Sequence, residues 1–198
     1  MMTFPEFLQS IKTDMQEICL NILDIAENSI RAQANLIEVT VKELPDEDIL
    51  SFIIKDNGCG MDEEMLKRVS DPFVTTRTTR KVGLGISLLK ASAQQTGGDV
   101  FLESQVGVGT TLRATFSYSH IDRQPLGDIS AVMVSLISMN PDIDFIYTHV
   151  YGKEEFTLNT RELKAVLGED VKLNEPSVAV WIGEYINDGL TEIYGGAN

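Results

Sequence analysis

Between Asp14 and Ala34, apolar side chains recur at Met15, Ile18, Leu20, Ile22, Leu23, Ile25, Ala26 and Ile30, with polar or charged residues in the gaps. That spacing predicts one long amphipathic helix. The period then shortens. LIEVTVK, from Leu36 to Lys42, and ILSFIIK, from Ile49 to Lys55, read as strands, and the acidic LPDED between them predicts a hairpin. MDEEMLKRV, with acids in its first turn, predicts a short helix, and DPFVTTRTTRKVGLG a polar loop punctuated by glycine. ISLLKASAQQT returns to helical spacing, which Gly97 and Gly98 terminate. DVFLESQ and TTLRATFSYS, joined by VGVG, predict a second hairpin ending near Ser119.

The pattern is interrupted at HIDRQPLGD, where Pro125 and Gly127 mark the expected boundary between two units, 1–122 and 127–198. In the second, ISAVMVSLISM reads as a helix or a buried apolar segment, DFIYTHVYGKEEFTLNT as a hairpin turning near Gly152 and Lys153, TRELKAVLG as an N-capped helix, and PSVAVWIGEYINDGL as a last amphipathic helix. The fold class expected is α+β. Composition agrees with a globular chain, at 43% hydrophobic and 23% charged residues. Thirty acidic against sixteen basic residues give a net charge of -14. That charge repels polyanions and acidic membrane surfaces, so neither nucleic acid nor a membrane is expected as a partner. The opening MMTFPEFLQSIKTDM lacks the basic-then-apolar pattern of a leader, and Cys19 and Cys59 are isolated, so free thiols and a cytoplasmic location are expected.

Candidate chemistry follows from an order of motifs. One asparagine-bearing helix is followed by three glycine loops: Asn28, then DNGCG, then GLG, then GVGTT. Each glycine pair alone fits an ordinary turn. Together they offer an adenine reader, an anion-tolerant backbone and a metal ligand, the three things ATP demands. From about Asp14 to Ser119 the sequence resembles the GHKL superfamily of histidine kinases, gyrase and mismatch-repair ATPases, and heat-shock chaperones. The resemblance implies a Bergerat ATP-binding fold: a two-layer α/β sandwich whose mixed, mostly antiparallel sheet carries helices on one face, here with a small α+β C-terminal unit.

It also implies roles for residues. LDIAENSIRAQA resembles the N box, in which Asn28 would ligate magnesium and Arg31 would face the phosphates or remain a solvated helix charge. DNGCG resembles the G1 box, in which Asp56 would accept a hydrogen bond from the adenine amino group while Gly58 and Gly60 admit the base. Guanine presents a carbonyl at the equivalent place and would be rejected. Met61 would pack on the adenine or fill core. DPFVTTR resembles the F box, with Phe73 and Thr76 flanking a lid, and GLGISLLK the G2 box, with Gly83, Leu84 and Gly85 opening a helix onto the phosphates. Arg77, Arg80 and Lys81 put three positive charges within five residues beside that loop, which favours phosphate contact. GVGTT resembles the last glycine box, where Thr110 would donate to a phosphate or brace the site.

Two features depart from the family. Four residues before Asn28, where efficient hydrolases carry a glutamate to orient the nucleophile, stands Asp24, shorter by a methylene. The withdrawal is roughly 1.5 Å, an error that costs about a hundredfold in rate when nothing compensates. Glu27 points about 100° away on the helix and is the poorer base. Second, the catalytic pattern begins almost at the first residue, and His120 and His149 both follow it, so no internal phosphoacceptor histidine is expected. These features are similar to stand-alone anti-sigma kinases. They imply an ATPase or protein kinase acting on a protein partner in trans, or else an ATP-gated binding module without chemistry. Tyr147, Tyr151, Trp181 and Tyr185 in the C-terminal unit would be its core, a docking face or a homodimer surface.

Overall fold

The computed structural model describes residues 17–70, 84–168 and 171–195. In chain order the elements are α1 (Ile18–Arg31), β1 (Leu36–Leu44), β2 (Ile49–Asp56), α2 (Glu63–Ser70), α3 (Leu84–Gln95), β3 (Val100–Gln105), β4 (Gly109–Ser117), α4 (Ile129–Met139), β5 (Asp144–Tyr151), β6 (Glu154–Asn159), α5 (Thr160–Leu167) and α6 (Pro176–Gly195). The strands form one sheet in the order β3-β4-β2-β1-β5-β6. All neighbours run antiparallel except β1 and β5, which are parallel.

Alternation sets which face is covered. Val39 stands opposite Ile54 on one side and Tyr147 on the other, and Val41 opposite Phe52 and His149, so alternate residues of three strands share one face. All six are buried there. Ile22 and Ala26 of α1, Leu89 and Ala93 of α3, Ile137 of α4, and Ile182 and Ile186 of α6 belong to the same core. Each fully buried isoleucine or leucine contributes about 1.5–3 kcal/mol relative to exposure. The opposite face is polar, with Lys55 paired to Glu38 at 2.9 Å on adjacent strands. Helices on one face of a mixed sheet is the two-layer arrangement expected.

The C-terminal segment does not make a second sheet. β5 pairs with β1 from Leu36↔Asp144 to Glu43↔Tyr151, so the boundary read at residues 122–127 falls inside one continuous sheet. That linker also returns to the start of the fold. The Pro125 and Leu126 carbonyls accept from the Ile18 and Cys19 amides at 2.9 and 2.8 Å, satisfying orphan donors of α1, which has no side-chain cap. The sequence signal was a true loop, but glycine and proline mark a change of direction without saying whether the core ends there. Of the aromatic residues left open, Tyr147 is core, while Trp181 and Tyr185 stack on each other on α6 with centroids 5.3 Å apart.

Candidate functional site

α1 and the end of β2 adjoin because a side chain on one bonds a side chain on the other. Ser29 Oγ donates to Asp56 Oδ2 at 2.6 Å. The other carboxylate oxygen, Oδ1, accepts from the Gly58 amide at 2.9 Å and the Thr110 amide at 3.3 Å. A carboxylate has about four lone-pair positions. Among the described residues three are used, leaving one on Oδ2, on a residue that is only 8% exposed and lines a cavity. Such an aspartate is held rigidly and has room to accept one further hydrogen.

The cavity, about 270 Å³, opens between α1, β2, α2 and the start of α3. Ile25, Ile54, Ile86, Leu102 and Leu112 give it an apolar wall, and Asp24, Asn28 and Asp56 are its acidic and amide groups. Apolar lining with a few convergent polar groups is the usual character of a small-molecule site. Met61 and Met65 line it too, so Met61 stands at the cavity and not in the sealed core. Gly60 has φ +66°, and a Cβ there would collide with the Gln105 carbonyl, so the loop closes onto the β3–β4 turn only with glycine. Gly85, in the first turn of α3, faces the Asp24 carboxylate so closely that a Cβ would meet it. The start of α3 is thereby set beside Asp24.

Asp24 is an acid under strain. Burial pushes its carboxyl up from the ordinary aspartate value, Arg31 opposes that, and Glu27 adds to it. Glu27 itself is turned away, its Oε2 accepting from Arg31 Nη2 at 2.7 Å. Arg31 Nη1 donates to Asn28 Oδ1 at 2.9 Å. Among the described residues no cluster of three or more His, Cys, Asp or Glu forms a metal cage. The donor set fits magnesium nonetheless. That ion retains waters and takes one or two protein oxygens plus substrate phosphates, and Asn28 Oδ1 already accepts from a cationic group at the cavity wall.

The structure thus brings together Asp24, Asn28, Arg31, Asp56, Gly60, Met61, Gly85 and Thr110 around one cavity, with Gly58 bonded to Asp56. Of the two roles open to Thr110, its contacts match bracing: its amide meets Asp56 and its hydroxyl lies 2.8 Å from Ser104 Oγ. Leu84 opens α3. Phe73, Thr76, Arg77, Arg80, Lys81 and Gly83 lie outside the described residues. Sequence reasoning missed Ser29 and Ser104. Ser104 Oγ accepts from the Met61 amide at 2.8 Å and so ties the loop after β2 to β3. Ser29 had a signal, since it follows Asn28 directly and helical spacing from Ile22 and Ile25 points it inward. Ser104 had none beyond alternation on its strand.

Residues 11–120 match the family model described as "Histidine kinase-, DNA gyrase B-, and HSP90-like ATPase". A sensor protein of Shewanella frigidimarina is 34% identical over 109 residues, covering 54% of this chain and 16% of that protein. Sporulation kinase E of Bacillus subtilis is 35% identical over 101 residues, covering 51% of this chain and 13% of its own length. The chain therefore matches under a fifth of either relative. Among solved structures, the N-terminal domain of a DNA repair protein shares the fold with TM-score 0.55 at 15% identity, covering 80% of this chain and 59% of that one. The matched segment holds α1 through β4, and with them every residue that lines the cavity. The chain belongs to the histidine kinase-, DNA gyrase B- and HSP90-like ATPase family.

Proposed function

We propose that the chain binds ATP with magnesium in the α1–β2–α3 cavity and acts as a histidine-kinase-like ATPase or protein kinase on a separate protein. The observation that carries this reading is the one acceptor position that the described residues leave on Asp56, at the wall of an apolar cavity that also presents Asn28 and Asp24. One rigid acceptor suits an adenine amino group. Against guanine it would face a carbonyl oxygen, and two buried acceptors cannot satisfy each other.

Asn28 Oδ1 would hold the magnesium, which when bound supplies charge neutralisation to the phosphates. The chain's own residues do the rest. Asp56 orients the base, the first turn of α3 offers its amides to the phosphates, and Asp24 accepts a proton from the attacking nucleophile. Its raised pKa brings that base nearer neutral pH, where it transfers protons more effectively.

Action in trans is supported by where the two histidines lie. His149 is fully buried with both ring nitrogens in contact with neighbouring side chains. His120 lies near Asp48, beyond the end of β2 opposite Asp56. Neither faces the cavity. A second reading, an ATP-gated binding module without turnover, is favoured by the missing methylene at Asp24. Binding and turnover of radiolabelled ATP by wild type, Asp24→Ala and Asn28→Ala separate the two. Turnover abolished by Asp24→Ala with binding retained supports an enzyme. Tight binding without turnover, with candidate partners present, supports the module, and no binding by wild type overturns both.

A further inference from the structure

Asp24, Glu27, Asn28 and Arg31 stand at positions i, i+3, i+4 and i+7 of α1 and so share one stripe of the helix. Arg31 spends both arms of its guanidinium within that stripe, Nη2 on Glu27 Oε2 at 2.7 Å and Nη1 on Asn28 Oδ1 at 2.9 Å. Asn28 Oδ1 is the oxygen assigned above to magnesium. The structure therefore shows a side-chain cation on the atom that a metal cation would take.

We propose that Arg31 is a positioning residue that serves as an exchangeable counter-cation. It occupies the Asn28 oxygen before nucleotide and metal arrive, gives that oxygen up to the metal, and is then available to the phosphates. The inference rests on the nucleotide reading above.

The physical argument is one of crowding. A magnesium ion sits about 2.1 Å from a ligating oxygen, and a guanidinium nitrogen bonded to the same oxygen lies 2.9 Å from it. Both charges would then lie within about 5 Å of each other on one oxygen, and like charges that close repel even where Arg31 meets solvent. That repulsion favours release of the arginine arm. Glu27 makes the exchange inexpensive, because it keeps one arm of Arg31 paired while the other swings away. Arg31 and Glu27 side chains are 60% and 47% exposed, so the swing meets solvent and not packed core. An ordinary surface pair along a helix would contribute little to helix stability and would have no bearing on magnesium.

The test is calorimetric binding of ADP by the full chain across a magnesium titration, for wild type, Arg31→Met and Arg31→Lys. Methionine keeps length and helix propensity without charge. The expected result for Arg31→Met is ADP binding about tenfold weaker without magnesium, from loss of a phosphate partner. The magnesium concentration for half effect should fall about threefold or more, from loss of the competitor. Arg31→Lys, which retains the charge, should return both quantities most of the way. A magnesium midpoint that is unchanged or higher in Arg31→Met overturns the proposal while leaving nucleotide binding intact. Absence of ADP binding by wild type at any magnesium concentration overturns the nucleotide reading itself, and the counter-cation with it.

Discussion

Two buried carboxylates, Asp56 and Glu43, sit on the same covered face of the sheet and are used in opposite ways. They lie six residue steps apart along the β1–β2 pair, about 20 Å at ~3.4 Å per step. Asp56 ends β2 at the cavity, held by Ser29, Gly58 and Thr110 with one acceptor position unused by the described residues. Glu43 nears the end of β1 at the other side, and its Oε1 accepts from Tyr194 of α6 and from His149 Nε2 of β5, the latter at 3.0 Å. Tyr147 Oη closes the chain 2.6 Å from His149 Nδ1. Burial alone would push the Glu43 carboxyl up, but these hydrogen bonds and the nearby Arg123 hold it below the ordinary glutamate value. A carboxylate bonded among side chains of the fold away from the cavity is a staple; the one that lines the cavity is, on the function proposed above, a reader.

The largest effect should come from Asp56→Asn, which turns an acceptor into a donor at the cavity. ATP affinity should fall roughly a hundredfold or more, while Glu43→Gln, read by the same equilibrium binding assay, should leave it within about twofold. If both variants lost affinity equally, the distinction between reader and staple would be wrong.

Glu43→Gln should next cost about 1–3 kcal/mol in urea unfolding at neutral pH, because a buried charge-assisted network loses its charge. The pH dependence has a definite sign. A carboxyl whose folded pKa is depressed stabilises fully above its unfolded value, about 4.3, and the contribution is lost as pH falls through the lower folded value. The gap between wild type and Glu43→Gln should therefore close in unfolding curves taken below about pH 4. Asp24 has the opposite sign. Its raised pKa means that ionisation opposes folding at neutral pH, so Asp24→Asn should be at least as stable as wild type there, although turnover is lost.

Ser29→Ala should weaken ATP binding about fivefold, the value of one hydrogen bond near 1 kcal/mol, by freeing the Asp56 side chain to rotate. Smallest is Tyr194→Phe, which removes one of Glu43's donors and should lower stability by about 1 kcal/mol with ATP affinity unchanged. Nucleotide affinity that responded to Tyr194→Phe as strongly as to Ser29→Ala would mean that the two ends of the sheet are coupled.

The contrast also explains what could be read without coordinates. Period and glycine order marked α1, the three hairpins and the glycine loop at Gly60, because a loop writes its backbone needs into local sequence, and the family resemblance added Asn28 and Asp56. The Glu43–His149–Tyr194 staple was invisible, since its members lie as far as 151 residues apart and are joined by the parallel pairing of β5 with β1 and by the packing of α6. The same pairing hid the continuity of the sheet behind a proline–glycine linker. Ser29 was within reach of helical spacing, whereas Ser104 depends on how the β3–β4 hairpin folds over Met61.

Direct binding of ATP and GTP to the full chain with magnesium, for wild type and Asp56→Asn, tests the central claim most sharply. The account predicts that wild type binds ATP at least about tenfold more tightly than GTP, and that Asp56→Asn loses the ATP binding. No ATP binding by wild type, or equal binding of both nucleotides that is indifferent to Asp56→Asn, would contradict it.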